Sequence, residues 1–241
     1  MTVYNGRLYG TSYDGPQIYR YVKDTTWEVV GVLPKTHQTY GFAVYESKLY
    51  VSNWPNALVY RYESEKRWID VGRLGTELEV MGLAVHNGKL YGGTLPLAQV
   101  YRFDGDGKWT LTGQLDRTPK VKYRRAWTMA TYRGQLFCGT LPSGRVYSLE
   151  AGRNVTHDRE LVSGWRHLAA VRTGKTLKLY VDGKQVAATQ SVAPTDLDVT
   201  CGKPLKIGFG GQGYFNGSLS DLRLYGRGLL EAEVAVLARK P

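Results

Sequence analysis

Several features are scarce in this chain of 241 residues. Cysteine occurs only twice, as Cys138 and Cys201, without a CxxC pair and without histidine at metal-binding spacing. Runs rich in Ala, Leu, Glu and Lys are nearly absent, and no stretch approaches the roughly 20 apolar residues that cross a bilayer. These absences argue against a local metal site, long helices and a membrane span, and we interpret the cysteines as structural thiols.

Other residue types are abundant. The chain contains 29 Gly, 18 Tyr and 6 Trp, and 42% of its residues are hydrophobic, which favours a folded protein made of short strands and turns. The formal net charge is +11, spread over both halves of the chain. Such an excess favours attraction to polyanions, namely acidic or sulfated glycans, nucleic acids or anionic surfaces.

The first two thirds of the chain repeat. Tyr9, Tyr50, Tyr91 and Phe137 begin similar segments such as LYGTSYDGPQIYRY and LYVSNWPNALVYRY, and a second series is Tyr19, Tyr60, Tyr101 and Tyr147. A third series is Trp27, Trp68 and Trp109, with Val155 in the fourth place. Each unit reads as four alternating strands with turn residues such as Asn87-Gly88 between them. The sequence therefore predicts four blade-like units of about 41 residues within residues 1–161.

These repeated LYxGT…VYR…W…G units resemble the kelch-like and sialidase-like β-propeller families. The resemblance implies sheets arranged around an axis, either as a ring of four or as part of a larger ring. The kelch Gly-Gly pair is present once, as Gly92-Gly93, and the sialidase Asp-box is matched only in part, around Trp27 and Trp109.

Residues 162–241 differ from the repeats. GWRHLAAVR, TLKLYVDGKQVAAT, PLKIGFGG and YFNGSLSDLRLYGRGLL predict further strands before a short amphipathic tail, and Asp182-Gly183 predicts a type I′ hairpin. This segment resembles the C-terminal half of a concanavalin A-like or laminin G-like jelly roll. Leu230 stands where that family usually has a Ser or Thr helix cap, so we expect the final helix to lack a side-chain cap. The predicted fold class is all-β.

The candidate binding face follows from strand direction. In an antiparallel blade, the connections after the second and fourth strands emerge at the same end, and they are the longer ones here. The tract KVKYRRAW at 120–127 lies in such a connection, which is five residues longer than its equivalents. The predicted ligand-binding residues are Tyr13, His37, Tyr40, Trp54, Lys120, Lys122, Tyr123, Arg124, Arg125 and Trp127.

Patterns of catalysis are missing. The sequence contains no GxSxG, HExxH or P-loop motif, and we expect no catalytic residue, metal or cofactor. Asp14, Glu77 and Asp116 stay open as carboxylates for glycoside hydrolysis. Four cations in one loop, without a matching stripe in the other repeats, argue against nucleic acid as the partner.

The sequence favours a non-catalytic protein that binds a glycan, acidic or sulfated, or a protein partner. The alternatives are a sialidase-like glycan hydrolase and a protein-interaction scaffold. MTVYNGRLYG has no basic region followed by an apolar core, so no secretory leader is predicted in this chain. The lectin-like resemblance nevertheless implies a secreted or cell-envelope location in the native context.

Overall fold

The structure is a computed structural model that describes residues 1–149, 154–189 and 204–239. These residues form an all-β protein with one short helix, as the composition predicts. The first sheet contains β1 (Thr2–Tyr4), β2 (Arg7–Thr11), β3 (Gln17–Lys23) and β4 (Thr26–Val32), and the second β5 (Gln38–Tyr45), β6 (Lys48–Trp54), β7 (Leu58–Ser64) and β8 (Arg67–Arg73). The third contains β9 (Glu79–His86), β10 (Lys89–Leu95), β11 (Gln99–Gly105) and β12 (Lys108–Gln114), and the fourth β13 (Arg125–Tyr132), β14 (Gln135–Leu141) and β15 (Val146–Leu149).

A fifth sheet and the helix follow. They are β16 (Leu168–Thr173), β17 (Thr176–Val181), β18 (Lys184–Ala188) and α1 (Glu231–Leu237). The chain forms two compact units, and the first comprises residues 1–131, 136–149 and 208–215. The predicted division at residues 161 and 162 stays a prediction.

The first three sheets are antiparallel meanders in which each strand pairs with its neighbour in sequence. Tight turns join the first two strands of each sheet, and their central residues have positive φ angles, as at Asn5 (49°) with Gly6 (71°) and Asn87 (46°) with Gly88 (70°). Two consecutive left-handed residues match the twist of paired strands, and Asn-Gly accepts that conformation at low cost. Three of the four predicted four-stranded units are therefore confirmed as sheets that resemble propeller blades, whereas the fourth has three strands among the described residues.

Apolar side chains from neighbouring sheets form the core of the first unit. One cluster joins Tyr9, Ile18 and Val30 of the first sheet to Leu49 and Val51 of the second. The next cluster joins the opposite face of the second sheet to the third. Runs of successive buried residues, as in β6, place side chains on both faces, so a sheet can be packed between two others.

Two boundaries differ from the prediction. The innermost strands begin about three residues earlier than expected, so Tyr40 lies inside β5 and Trp127 inside β13 instead of in the preceding loops. The reason is that the hydrogen-bonded pairing between the first and second strands of a sheet extends further than predicted. Gln38 pairs with Trp54 in the second sheet, and Glu79 pairs with Leu95 in the third. Extended pairing satisfies backbone groups that a loop would leave to water.

The second unit contains the fifth sheet and the helix. Its β17–β18 turn has Asp182 and Gly183 at φ angles of 49° and 77°, which confirms the predicted hairpin. Helix α1 has no side-chain cap at Leu230, as expected, although the Glu233 carboxylate accepts a hydrogen bond from the Leu230 N–H at 2.7 Å.

The strands predicted in PLKIG and LRLY do not form. These residues are irregular, with Leu205 71% and Leu224 77% exposed. The sequences have the alternation of strands, but among the described residues they have no neighbouring strand with which to exchange hydrogen bonds. Without a neighbouring strand, a segment gains no inter-strand hydrogen bonds or packing to compensate for the conformational entropy that it loses on becoming extended.

The segment 208–215 joins the first unit instead of a jelly-roll strand. Phe209 and Tyr214 pair across a small hairpin, and their rings contact edge to face at 4.8 Å. The backbone N–H groups of Glu46 and Ser47 donate to the carbonyl oxygens of Gly211 and Gln212. The hairpin therefore docks on the turn between β5 and β6.

Candidate functional site

Polar residues begin the innermost strands of three consecutive sheets. Gln38, Glu79 and Arg125 are the first residues of β5, β9 and β13, at equivalent places of the repeat. These starts follow the connections that the sequence assigned to the binding face. The repeat thus places an amide, a carboxylate and a guanidinium at one end of the sheets.

Four side chains come together at this end, and we call Tyr13, Tyr40, Glu79 and Arg125 the loop-end cluster. The rings of Tyr13 and Tyr40 contact edge to face, with their centroids 6.4 Å apart. The Tyr40 hydroxyl donates a hydrogen bond to Oε1 of Gln38 and also interacts with the Glu79 carboxylate. Tyr13 is 68% exposed whereas Glu79 is 8% exposed, so the cluster runs from the surface to a buried carboxylate.

Burial and charge set the protonation of the cluster. Burial raises the pKa of Glu79 above its ordinary range, and the Tyr40 hydroxyl and the positive charge of Arg125 offset part of that rise. Burial, followed by the hydrogen bond and negative charge of Glu79, raises the pKa of Tyr40. Tyr40 therefore stays a neutral phenol, a hydrogen-bond donor and not an activated nucleophile.

A second aromatic pair lies on the neighbouring connection. The rings of His37 and Trp54 contact at 5.2 Å, and the His37 N–H donates to the Trp54 carbonyl oxygen at 2.8 Å. The His37 carbonyl oxygen in turn accepts from Gly15 N at 2.9 Å, which ties this connection to the loop that carries Tyr13. Both predicted residues thus lie at the predicted end of the sheets.

The tract KVKYRRAW divides between loop and strand. Lys120 and Lys122 are exposed in the loop, with the Lys122 ammonium 5.0 Å from the centroid of the Tyr123 ring. Among the described residues, no hydrogen bond or ion pair joins either lysine to the loop-end cluster. These residues form a separate cationic edge.

The strand part of the tract has other contacts. Arg124 N donates to the Pro96 carbonyl oxygen at 2.9 Å, while its Nε is buried without a partner among the described residues. The Arg125 guanidinium stacks 5.5 Å from the centroid of the Trp127 ring, which is 41% exposed. Arg125 therefore connects the loop-end cluster to the partly exposed Trp127 ring.

Two of the open carboxylates are structural. Glu77 is fully buried, and its Oε2 accepts from Thr94 Oγ1 at 2.7 Å and from Leu97 N at 3.0 Å. Asp116 is buried and accepts from Ser143 N at 3.0 Å and from Thr118 N at 2.8 Å. Burial acts to raise the pKa of Asp116, but these hydrogen bonds outweigh it and hold the pKa well below its ordinary range.

Glu77 and Asp116 therefore fasten each connection to a turn in the next sheet. Leu97 and Ser143 occupy equivalent places, each after a cis proline, in the bonds Leu95-Pro96 and Leu141-Pro142. Hydrogen bonds from backbone and hydroxyl donors thus occupy both oxygens of Asp116 and Oε2 of Glu77, whereas Oε1 of Glu77 is buried without a partner among the described residues.

Gln38 was not among the residues predicted for this face, and Glu79 was expected there with Glu77 as an acidic loop residue but not as a ligand-binding residue. The signal that could have found them is the repeat spacing: both share the register of Arg125 when the innermost strands are aligned from their ends. Because the innermost strands were predicted to begin about three residues later, these three residues were assigned to loops and their equivalence was not apparent.

A different cavity lies at the opposite end of the sheets. It has a volume of about 930 Å³, and its lining includes Val3, Val44 and Val85, which are equivalent repeat positions, with the hairpin at 208–215. The predicted ligand residues do not line it.

Residues 1–149, 154–189 and 204–239 contain no group of three His, Cys, Asp or Glu side chains placed to hold a metal ion. None of the helices in these ranges is long and apolar enough to cross a membrane. Cys138 is a free, buried thiol whose pKa burial raises to about 11, whereas Cys201 lies outside the described residues.

Comparison with protein families gives one match. Residues 127–235 are similar to the family described as the concanavalin A-like lectin/glucanases superfamily. The match includes the fourth sheet as well as the second unit, and it agrees with the lectin-like resemblance of the sequence. A search of curated proteins finds no match.

Several solved structures have similar arrangements of sheets. They include the WD40 β-propeller domain of Doa1 (13% identity, 74% of this chain and 62% of that chain, TM-score 0.39) and a selenomethionine-substituted virginiamycin B lyase from Staphylococcus aureus (12%, 80% and 65%, 0.45). This chain thus spans less than two thirds of those chains. Similarities at this level carry no argument about function.

Proposed function

We propose that this protein binds carbohydrate at the loop-end cluster without transforming it, in a secreted or cell-envelope setting. The observation that carries the proposal is the Tyr13–Tyr40 pair above the buried Glu79 carboxylate. Tyr13 offers an exposed ring for the apolar C–H face of a sugar, and Tyr40, Glu79 and Arg125 offer partners for hydroxyls and acidic groups. Sites of this kind combine aromatic surface with a few convergent polar groups.

The arrangement favours binding over catalysis. A hydrolase needs a second carboxylate or an activated nucleophile beside its acid. Glu77 is engaged with Thr94 and Leu97, and the raised pKa of Tyr40 holds that residue as a phenol. The similarity of residues 127–235 to lectin and glucanase domains supports carbohydrate as the ligand class.

A glycan array with the intact chain tests the proposal. Glycans retained by the wild type should bind at least about tenfold more weakly to Tyr13→Ala, because stacking area worth roughly 1.5–3 kcal/mol is lost. The matched control is Tyr214→Ala, which removes a 75% exposed tyrosine from the hairpin at the other end. Equal retention by both variants would exclude the loop-end cluster, and retention of no glycan would reject carbohydrate as the ligand.

A glycan hydrolase is the second candidate, because Glu79 has the raised pKa of a general acid. Turnover of an aryl glycoside by the wild type, abolished in Glu79→Gln, would favour this candidate over binding alone. If the wild type has no turnover, the effect of Glu79→Gln on the glycan should be a change in affinity.

A further inference from the structure

One face of the first sheet consists of apolar and aromatic residues of the kind that is normally buried, but no other sheet covers it among the described residues. The strand register places Val3, Leu8, Tyr19, Tyr21 and Trp27 on the same side, and we call these five residues the open face. Val3 is 65% exposed, Tyr21 38% and Trp27 37%. A surface with this much exposed aromatic and aliphatic area is typical of a contact site.

The repeat shows what such a face normally contacts. In the second sheet the equivalent residues Leu49, Tyr60 and Trp68 pack against the first sheet, and in the third sheet Leu90, Tyr101 and Trp109 pack against the second. Leu49 and Leu90 are fully buried, and Tyr60 is 1% exposed. In both cases this kind of face is covered by the opposite face of the sheet that the preceding repeat unit forms.

A directional hydrogen bond accompanies each covered face. Trp68 Nε1 donates to the Val30 carbonyl oxygen and Trp109 Nε1 to the Val71 carbonyl oxygen, both at 3.1 Å across the boundary between sheets. Trp27 is the equivalent residue of the first sheet, and its indole finds no acceptor within the described part of the chain. The open face thus has an unused donor aimed where a neighbouring sheet would provide a carbonyl group.

The complementary surface is open on the fourth sheet. Phe137 and Val146 share its far face, because Phe137 pairs with Ser148 and Gly139 pairs with Val146. Their equivalents in the first three sheets are nearly inaccessible: Ile18 and Val59 are fully buried and Val100 is 5% exposed, whereas Val146 is 69% exposed. The fourth sheet therefore offers the apolar part of the face that the open face normally receives, whereas the outer strand that carries the accepting carbonyl group in the other sheets has no counterpart among its described strands.

We propose that a second copy of this chain covers the open face, with the fourth sheet of one copy packed on the first sheet of the other. The contact is head to tail, so two copies can make it in both directions and close a ring of eight sheets. Propellers contain about four to eight blades, so such a ring is within the usual range.

Charged residues distinguish the proposed contact between copies from the contacts between sheets of one chain. Between the first two sheets Arg20 pairs with Glu65 at 2.5 Å, and between the next two Arg61 pairs with Asp106 at 2.5 Å. The fourth sheet has Ser148 at the position of these arginines, and Asp24 of the first sheet is the position equivalent to Glu65. The contact between copies therefore rests on apolar area and should be insensitive to salt.

Sedimentation velocity over a concentration series tests the proposal on the full chain. The wild type should sediment as two copies of the 27.0 kDa chain, at low and at high salt alike. Tyr19→Glu introduces a charge on the open face at a position whose equivalents Tyr60 and Tyr101 are buried, so it should give a monomer, and Val146→Glu should do the same from the fourth sheet. The matched control is Leu111→Glu, which should remain dimeric because Leu111 is 49% exposed although it lies on the covered face of the third sheet.

Mixing the two monomeric variants decides the geometry. A Tyr19→Glu copy keeps an intact fourth sheet and a Val146→Glu copy keeps an intact first sheet, so the mixture should recover one contact and form a heterodimer. Circular dichroism on each variant checks that the sheets are retained. A wild type that stays monomeric, or a dimer that survives Tyr19→Glu, would overturn the proposal.

Discussion

The indole Nε1 of Trp68 donates a hydrogen bond to the carbonyl oxygen of Val30, across the boundary between the first and second sheets. Trp109 and Val71 repeat the bond between the second and third sheets. Both carbonyl groups also accept a backbone N–H, from Lys66 at 3.2 Å and from Gly107 at 3.0 Å. The tryptophan bond is thus an additional tie between sheets.

Trp68→Phe should lower the free energy of unfolding by about 1 kcal/mol from the lost hydrogen bond, with a further loss from the smaller ring. The Val30 carbonyl group stays satisfied by Lys66, which limits the cost. Chemical denaturation measures the change. Trp27→Phe is the control, since its indole has no acceptor among the described residues, and an equal loss in both variants would contradict the assigned role of the bond.

Glu77→Ala should destabilise the protein by roughly 1–3 kcal/mol, because the N–H of Leu97 and the hydroxyl of Thr94 lose their acceptor in a buried place. Glu77→Gln should cost much less, since the amide oxygen can still accept both bonds. Thermal unfolding of the two variants measures the difference. If alanine and glutamine were equally tolerated, Glu77 would not fasten its turn.

Glu79→Gln should stabilise the protein at neutral pH. The raised pKa of Glu79 means that folding disfavours its charged form, so the penalty develops as the pH rises through the ordinary value near 4.5 and is complete above the folded-state pKa. A glutamine has no charge to bury. The melting temperature of the variant should exceed that of the wild type at pH 7 and approach it at about pH 4.

The opposite trend at Glu79 would contradict the burial argument. A variant less stable than the wild type at pH 7 would mean that Arg125 and Tyr40 more than offset the desolvation of the carboxylate. Tyr40→Phe provides the companion measurement, since it removes a hydroxyl that stabilises the charged form of Glu79.

Lys120→Ser combined with Lys122→Ser should weaken retention on heparin and make the dependence of binding on salt less steep. Both lysines are exposed in the loop, so the fold should be unaffected. Arg124 is left in place because its Nε is buried. Lys175→Ser with Lys184→Ser, two exposed lysines of the fifth sheet region, serves as the control, and equal elution of both double variants would remove the loop from any anionic site.

The repeat made the first unit predictable in detail. Residues 41 apart, such as Trp27, Trp68 and Trp109, occupy equivalent places in successive sheets, because each sheet meets the same packing problem as its neighbour. The end of the sheets that carries Tyr13 and Tyr40 followed from strand direction alone. Whether any ligand binds there stays a prediction.

The sequence alone could not predict which segments distant in the chain pair as strands. PLKIG and LRLY have the alternation of strands, yet a strand also needs a neighbour, and local pattern does not say whether one is present. The role of Glu77 could not be read either, because its partners Thr94 and Leu97 lie on the next sheet and only folding brings them within hydrogen-bond distance. The repeat spacing shows that Glu79 is equivalent to Arg125. The predicted start of the innermost strand, about three residues too late, nevertheless placed Glu79 in a loop.

The stacking of sheets in chain order also has a consequence for how the protein opens. Sheets that contact only their neighbours unfold one after another from an uncovered end, as the units of repeat proteins do. Leu49 to Asn53 of β6 are all buried between two covered faces, whereas β1 and β2 have one face open to solvent. In a single copy of the chain, amide hydrogens of β2 should therefore exchange with deuterium through local fraying, whereas those of β6 should exchange only when all the sheets separate.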